Sequence, residues 1–297
     1  MNLTRNEFDI MDALLASSTP LSQRELSGMT NRSPATVNRT LKALEAKGFT
    51  QGGSVTEAGT SAMEPYRVKR AVFIAAGFGS RMVPVTLNTP KPLVRVHGVR
   101  IIDTLLDAVL AAGIEEIYIV RGYLGEQFDL LLHKYPMLRL VDNPAYNETN
   151  NISSAMCVRE YFRNAYVFEA DLILHKPSLV RKYQYTSNYL GYPVERTDDW
   201  CLMTQGSVIR KAQMGGLNCY RWIGISYWTE EDGARLSEHF RQMYEMPGGK
   251  ENLWDMAPLK YFQSEYRVEI RECDPEDVIE IDTFRELQAI DPLYAGR

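Results

Sequence analysis

The chain is poor in the residues that most often announce chemistry. Its four cysteines, Cys157, Cys201, Cys219 and Cys273, are scattered through 297 residues without a CxxC pair. That spacing argues against a thiolate metal site and a disulfide framework, and it points to reduced thiols in the cytoplasm. The four histidines, His97, His133, His175 and His239, form no spaced cluster, so each is expected to be structural or solvated rather than catalytic. No apolar run approaches the roughly 18 residues of a membrane span. Arg5, Glu7, Asp9 and Asp12 interrupt the N-terminus where a secretory leader would be apolar. A cytoplasmic protein with no membrane partner is expected. Charge of either sign is modest, with a formal net of -5 and 24% charged residues, which argues against a general nucleic-acid coat.

What is present divides into two textures. Near the start, Phe8, Ile10, Met11, Leu14 and Leu15 recur at helical spacing. Ser22 stands where a second helix would be N-capped. "SPATVNRTLKALEAKG" supplies a third, with Ser33 as N-cap, Pro34 at the first helical position, Val37, Leu41 and Leu44 on one face, and Gly48 at its end. Gly52 and Gly53 then predict a hairpin turn. Three helices and a hairpin resemble a winged helix-turn-helix, and the expected first domain spans residues 1–66. Arg32, Asn38, Arg39 and Lys42, at or on the third helix, are residue types that touch phosphates and base edges, which makes DNA a candidate partner. Six Lys/Arg against seven Asp/Glu in this stretch, a net of -1, point the other way, because DNA binders are usually basic. The alternative is packing against a neighbouring domain or a second copy in a homodimer.

Residues 67–297 alternate strand and helix patterns. "AVFIA" is a buried strand, "IIDTLLDAVLAAG" a helix, "EIYIV" a strand, Glu126 to His133 a helix, "LRLVD" a strand, Ser153 to Tyr161 a helix and "AYVFEAD" a strand. This order implies right-handed crossovers and a doubly wound, mostly parallel α/β sheet of Rossmann-like type behind a small winged-helix domain. Ligands of such sheets sit at the carboxyl ends of strands. The turn at Gly77 and the carboxylate of Asp171, each following a strand, therefore fall on one rim.

"AAGFGSRM" follows the first of these strands, and "TPKPLV" comes after it with Lys91 ten residues beyond Arg81. Gly77 and Gly79 let backbone approach a ligand without a Cβ in the way, and the N–H groups of such a turn suit phosphate oxygens. Arg81 and Lys91 add the positive charge a polyphosphate requires. A dinucleotide loop would continue GxGxxG, but position 82 is Met. The pair of motifs instead resembles the signature of nucleotidyltransferases that activate phosphate monoesters.

Further stretches extend the likeness over roughly residues 69–289: "GYLGEQFD" from Gly122, "TNNISSAM" from Thr149, "EADLIL" from Glu169, "LWDM" from Leu253 and "IEIDTFREL" from Ile279. With these the second region is most similar to the bacterial CTP:phosphocholine cytidylyltransferases. The resemblance implies that Ala75, Ala76, Gly77, Gly79, Ser80, Arg81 and Asn151 hold the nucleotide. It implies that Arg81, Lys91, Asp171 and Asp282 are catalytic, and that the two aspartates bind Mg²⁺. It places Asp255 and Glu280 near phosphocholine, and the Asn150–Asn151 pair somewhere at the site. Asp282 doubles as a candidate cap for the helix that follows it.

A phosphate oxygen of phosphocholine would attack the α-phosphorus of CTP and expel pyrophosphate. A phosphate dianion needs no general base, so the shortage of histidine is no objection. A trimethylammonium donates no N–H hydrogen bond and is held by aromatic faces and carboxylates, each aromatic contact contributing roughly 0.5–2 kcal/mol. Trp200 follows Asp198 and Asp199, and Trp254 precedes Asp255. These two are the candidates for the choline pocket ahead of Trp222 and Trp228. Two alternatives stay open: a sugar 1-phosphate nucleotidylyltransferase using UTP or dTTP, and a ligand-sensing DNA-binding regulator.

Overall fold

The computed structural model describes residues 2–17 and 19–295. Its contacts divide the chain into two units, Met1–Arg67 with Tyr183–Tyr185, and Val68–Lys182 with Thr186–Arg297. The claim of the first unit on residues 183–185 has no sign in the sequence pattern.

The first unit is built from α1 (Arg5–Ala16), α2 (Gln23–Thr30), α3 (Pro34–Ala46), a two-stranded hairpin of β1 (Thr50–Gln51) and β2 (Ser54–Val55), and α4 (Glu57–Met63). Local chemistry starts each helix. Thr4 with Glu7, and Ser22 with Glu25, form reciprocal capping boxes, while Ser33 caps α3 ahead of Pro34. Phe8, Ile10, Met11, Leu26, Val37, Leu44 and Met63 bury their side chains together. α4 is an addition to the expected elements. Thr56 caps it, and Gly59 makes it fit, because a Cβ there would meet Phe49 O at 2.2 Å.

The second unit is organised by a seven-stranded sheet. Its strands are β3 (Arg70–Ala75), β6 (Glu116–Arg121), β7 (Leu138–Asp142), β8 (Ala165–Glu169), β10 (Asn188–Gln205), β11 (Val208–Trp228) and β12 (Glu269–Glu272). They lie in the order β10-β12-β11-β8-β3-β6-β7. β8, β3, β6 and β7 are mutually parallel, and β11 joins β8 antiparallel. Short ladders pair β4 (Arg95–Val96) with β5 (Val99–Arg100), and β9 (Leu172–Leu174) with β13 (Val278–Glu280). Helices α5 (Ile101–Ala111), α6 (Ile152–Cys157), α7 (Glu230–Glu245) and α8 (Phe284–Ile290) complete the unit. The apolar runs of β3 and β6 are buried along their length because the two faces of the sheet carry separate cores. Phe73, Ile117, Ile119 and Phe168 belong to one, and Val72, Tyr118, Val120 and Val167 to the other.

Three local expectations change. The stretch from Gly125 to His133 is 3₁₀ rather than α, and the expected helix to Tyr161 is α6 followed by a 3₁₀ turn at Arg159–Tyr161. Thr283, not Asp282, caps α8 in a box with Glu286. β10 and β11 form a long bulged hairpin that the sequence pattern did not announce. Much of it is half-exposed, so no clean alternation of apolar and polar residues marks it.

Candidate active site

β3 delivers the glycine loop to the carboxyl edge of the sheet. Gly79 sits at φ 66°, and a Cβ there would come within 3.2 Å of Lys91 Cβ and Thr86 Cγ2, so glycine lets the loop close over Lys91. Thr86 Oγ1 donates to Gly79 O at 2.9 Å, and the Tyr123 hydroxyl donates to Thr86 O at 2.9 Å. The loop is thereby tied to the segment that follows β6.

Lys91 is buried and donates through Nζ to Asp171 Oδ2 at 2.8 Å and Asp282 Oδ1 at 3.0 Å. Burial disfavours its charge, but the two carboxylates win and raise its pKa. Arg81, exposed, donates to the same Asp282 oxygen at 2.8 Å. Asp171 follows β8, and Glu280 and Asp282 lie at the end of β13. Pairing of β9 with β13 draws these distant segments together, so one oxygen from each of the three carboxylates lies within 4.8 Å of the others. Burial, then Asp171 and Asp282, push Glu280 up to about 7. Asp171 Oδ1 is buried without a hydrogen-bond partner among the described residues.

Two cavities meet at this cluster. The first, about 410 Å³, is lined by Ala75, Ala76, Gly77, Gly79, Ser80 and Lys91, with Asn143, Ser153 and Ser154 on another side. The second, about 260 Å³, has Trp200, Trp222, Trp254 and Tyr189 in its walls together with Asp199, Asp255, Glu280 and Arg221. Arg81, Asn151, Glu169, Asp171 and Asp282 line both. Trp200 and Trp222 meet edge to face at 5.8 Å. Burial raises Glu169 well above the usual carboxylate range, Asp255 and Asp171 adding to the push, and burial lifts Asp255 to about 7. The Tyr189 hydroxyl donates to Asp255 at 2.7 Å.

The structure thus brings together every residue expected in the second region, with changes of detail. Trp254 is only 2% exposed and packs edge-on against Phe162, Trp228 and Phe240, so it is as much a core residue as a pocket wall. Its indole N–H lacks a well-formed hydrogen bond, though it lies near enough to Glu169 to hold that carboxyl down somewhat. Trp222 joins the wall, whereas Trp228 is fully buried elsewhere. Glu280 belongs with the two aspartates as well as with the second cavity. Asn151 spends its side chain on protein groups, donating to Glu169 Oε1 at 3.2 Å and accepting from Trp254 N at 2.9 Å.

Sequence reasoning missed Glu169, Tyr189 and Arg221. Glu169 stood inside a quoted motif, but only the fold shows its carboxyl at the cavities. Arg221 pairs with Asp199 and, at 3.1 Å, with Glu280, a placement made by the unforeseen hairpin. In the first unit Arg32 is engaged by Asp9 at 2.7 Å and Asn38 by Gln23 at 3.3 Å, while Arg39 and Lys42 are exposed on α3.

Comparison with known proteins agrees with this geometry. Residues 71–194 match the MobA-like NTP transferase domain, and residues 3–49 match a winged helix-turn-helix DNA-binding family. The 2-aminoethylphosphonate cytidylyltransferase of Lancefieldella rimae is 34% identical over 75% of this chain and 92% of its own length. The choline-phosphate cytidylyltransferase of Haemophilus influenzae is 30% identical over 71% of this chain and 91% of its own. Among solved structures, the CTP:phosphocholine cytidylyltransferase of Streptococcus pneumoniae superposes with a TM-score of 0.70 at 30% identity, covering 76% of this chain and 99% of that one.

Proposed function

Because the chain belongs to the cytidylyltransferase family of nucleotidyltransferases, we propose that it transfers CMP from CTP to a small phosphate or phosphonate carrying a cationic amine, with phosphocholine as the acceptor its aromatic walls fit best. The observation that carries this reading is the second cavity. Three tryptophans and a tyrosine share it with Glu169, Asp199 and Asp255, directly beside the carboxylate cluster of Asp171, Glu280 and Asp282. A quaternary ammonium has no N–H to donate, so aromatic faces and nearby negative charge are its natural partners. A sugar would call for a denser set of hydrogen-bonding side chains.

The reaction joins an acceptor phosphate oxygen to the α-phosphorus of CTP as the bond to pyrophosphate breaks. Both reactants are anions, so the work is to cancel repulsion and align them. Arg81 and Lys91 supply positive charge on the glycine-loop side, where the loop from Ala75 to Ser80 lines the first cavity. Arg221 offers the acceptor side a third cation. No residue has to remove a proton, since the attacking oxygen is already ionised near neutral pH.

Asp171, Glu280 and Asp282 fit Mg²⁺: all three donors are oxygens, they converge, and Asp171 Oδ1 is buried without a hydrogen-bond partner among the described residues. When bound there, the ion supplies charge neutralisation to the triphosphate and the acceptor.

A second acceptor, 2-aminoethylphosphonate, is favoured by the buried carboxyls of Glu169 and Asp255. A primary ammonium can donate hydrogen bonds to them where trimethylammonium cannot. The deciding experiment measures pyrophosphate release from CTP with phosphocholine, 2-aminoethylphosphonate, phosphoethanolamine and glucose 1-phosphate. The highest kcat/KM for glucose 1-phosphate would overturn the amine reading. For the first unit the proposal is DNA binding through the exposed Arg39 and Lys42 of α3.

A further inference from the structure

Asn151 occupies the N-cap position of α6, where an asparagine ordinarily turns its side chain back to accept from the first turn of the helix. It makes no such bond. Its Oδ1 instead accepts the backbone N–H of Trp254 at 2.9 Å, and its Nδ2 donates to Glu169 Oε1 at 3.2 Å. Asn150 acts on the same distant stretch. Its backbone N–H donates to Lys250 O at 2.8 Å, its Nδ2 donates to Glu251 O at 3.2 Å, and its Oδ1 accepts the N–H of Asn151 at 2.7 Å.

The stretch so held runs from the short 3₁₀ turn at Gly249–Glu251 through Asn252 and Leu253 to Trp254 and Asp255. It belongs to no sheet ladder, so its backbone polar groups need partners from elsewhere in the fold. A side-chain amide donates and accepts through separate atoms, as a peptide group does, which suits adjacent asparagines to standing in for a neighbouring strand. The far end of the clasp is Glu169, at the end of β8. Asn151 therefore links two walls of the second cavity, the β8 end and the Trp254–Asp255 segment. With one lone pair of Oδ1 and one N–H engaged by protein groups, it keeps one of each for any ligand in the first cavity.

Resting on the reading of the second cavity as the acceptor pocket, we infer that Asn150 and Asn151 are positioning residues for the acceptor, and that their contribution to nucleotide binding is minor. They act through Trp254, Asp255 and Glu169. This departs from the nucleotide role that the sequence resemblance implied for Asn151.

The test uses the full chain and two readouts. In Asn151→Ala, KM for whichever amine acceptor supports turnover should rise roughly tenfold, the scale of one lost buried hydrogen bond. KM for CTP should stay within about twofold. Hydrogen exchange measured by mass spectrometry without substrates should quicken in peptides spanning 250–256 and stay unchanged in those spanning 71–81. Asn151→Asp keeps an oxygen for the Trp254 N–H, so it should restore most of the protection at 250–256. Asn150→Ala should quicken the same peptides and serves if Asn151→Ala fails to fold. A rise in KM for CTP equal to that for the acceptor, or unchanged exchange at 250–256, overturns the inference. If the unaltered chain releases no pyrophosphate with any amine acceptor, the functional reading has failed, and the exchange result still judges the clasp.

Discussion

Lys91 reaches across eighty residues of chain to place its ammonium 2.8 Å from Asp171, which lines both cavities. Removing one partner leaves the other's charge with little solvent to spread into, a penalty larger than the net worth of the pair. Lys91→Met should therefore lower both stability and turnover. We expect kcat/KM for CTP to fall roughly a hundredfold or more, the usual scale for a lost electrostatic contact to a transition state, with a drop in Tm. Steady-state pyrophosphate release and a thermal melt check both. Wild-type turnover would remove Lys91 from the triphosphate site.

Asp171→Asn and Asp282→Asn each delete one ionised oxygen donor from the three-carboxylate cluster. Mn²⁺ titrated in the presence of CTP and followed by EPR should bind more weakly to either variant, by roughly tenfold or more. Unaltered Mn²⁺ affinity in both would place the metal elsewhere.

The two tryptophans flagged by their acidic neighbours should behave differently. Trp200 is half-exposed at the cavity wall, whereas Trp254 is 2% exposed in an aromatic core. Trp200→Ala should raise the acceptor KM several-fold, leave KM for CTP within about twofold and keep Tm near that of the parent. Trp254→Ala should cost about 3–5 kcal/mol of stability before any binding effect is read. Equal losses of Tm in the two variants would contradict this division.

Asp255 is an acid whose folded pKa, about 7, lies above its ordinary value near 3.8 because burial disfavours its charge. The folded state thus holds a proton that the unfolded chain has released, so the contribution of Asp255 to stability is full below about pH 4 and is lost as pH rises to about 7. In ligand-free protein, Tm measured from pH 5 to pH 8 should decline, and Asp255→Asn should flatten that decline. A variant curve parallel to the parent's would show that Asp255 does not carry the effect.

For the first unit, a mobility-shift titration on the DNA upstream of the native gene should show binding that weakens steeply with salt and is reduced by Arg39→Ala with Lys42→Ala. Arg32→Ala should act chiefly on stability, because its guanidinium is already paired with Asp9. Binding indifferent to Arg39 and Lys42 would turn attention away from α3.

Much of this protein was legible along the chain because the signals are local. Ser22 and Ser33 precede the helices they cap, Gly52 and Gly53 mark their own turn, and a buried parallel strand shows itself as an unbroken apolar run in β3 and β6. The glycine loop with Arg81 and Lys91 reads from the single contiguous stretch Gly77 to Lys91, because phosphate binding by a turn is itself a local device. These stretches determined the α/β class, the helical N-terminal region and the nucleotidyltransferase chemistry. The tertiary structure alone decided which carboxylates converge. β9 and β13, a hundred residues apart in sequence, pair to bring Glu280 and Asp282 to Asp171, and a bulged hairpin without clean alternation swings Trp200, Arg221 and Trp222 to the same place. Neighbourhood made by strand pairing across long separations leaves no periodic trace in either segment, so proximity, burial and the raised pKa values that follow from it exist only once the chain has folded.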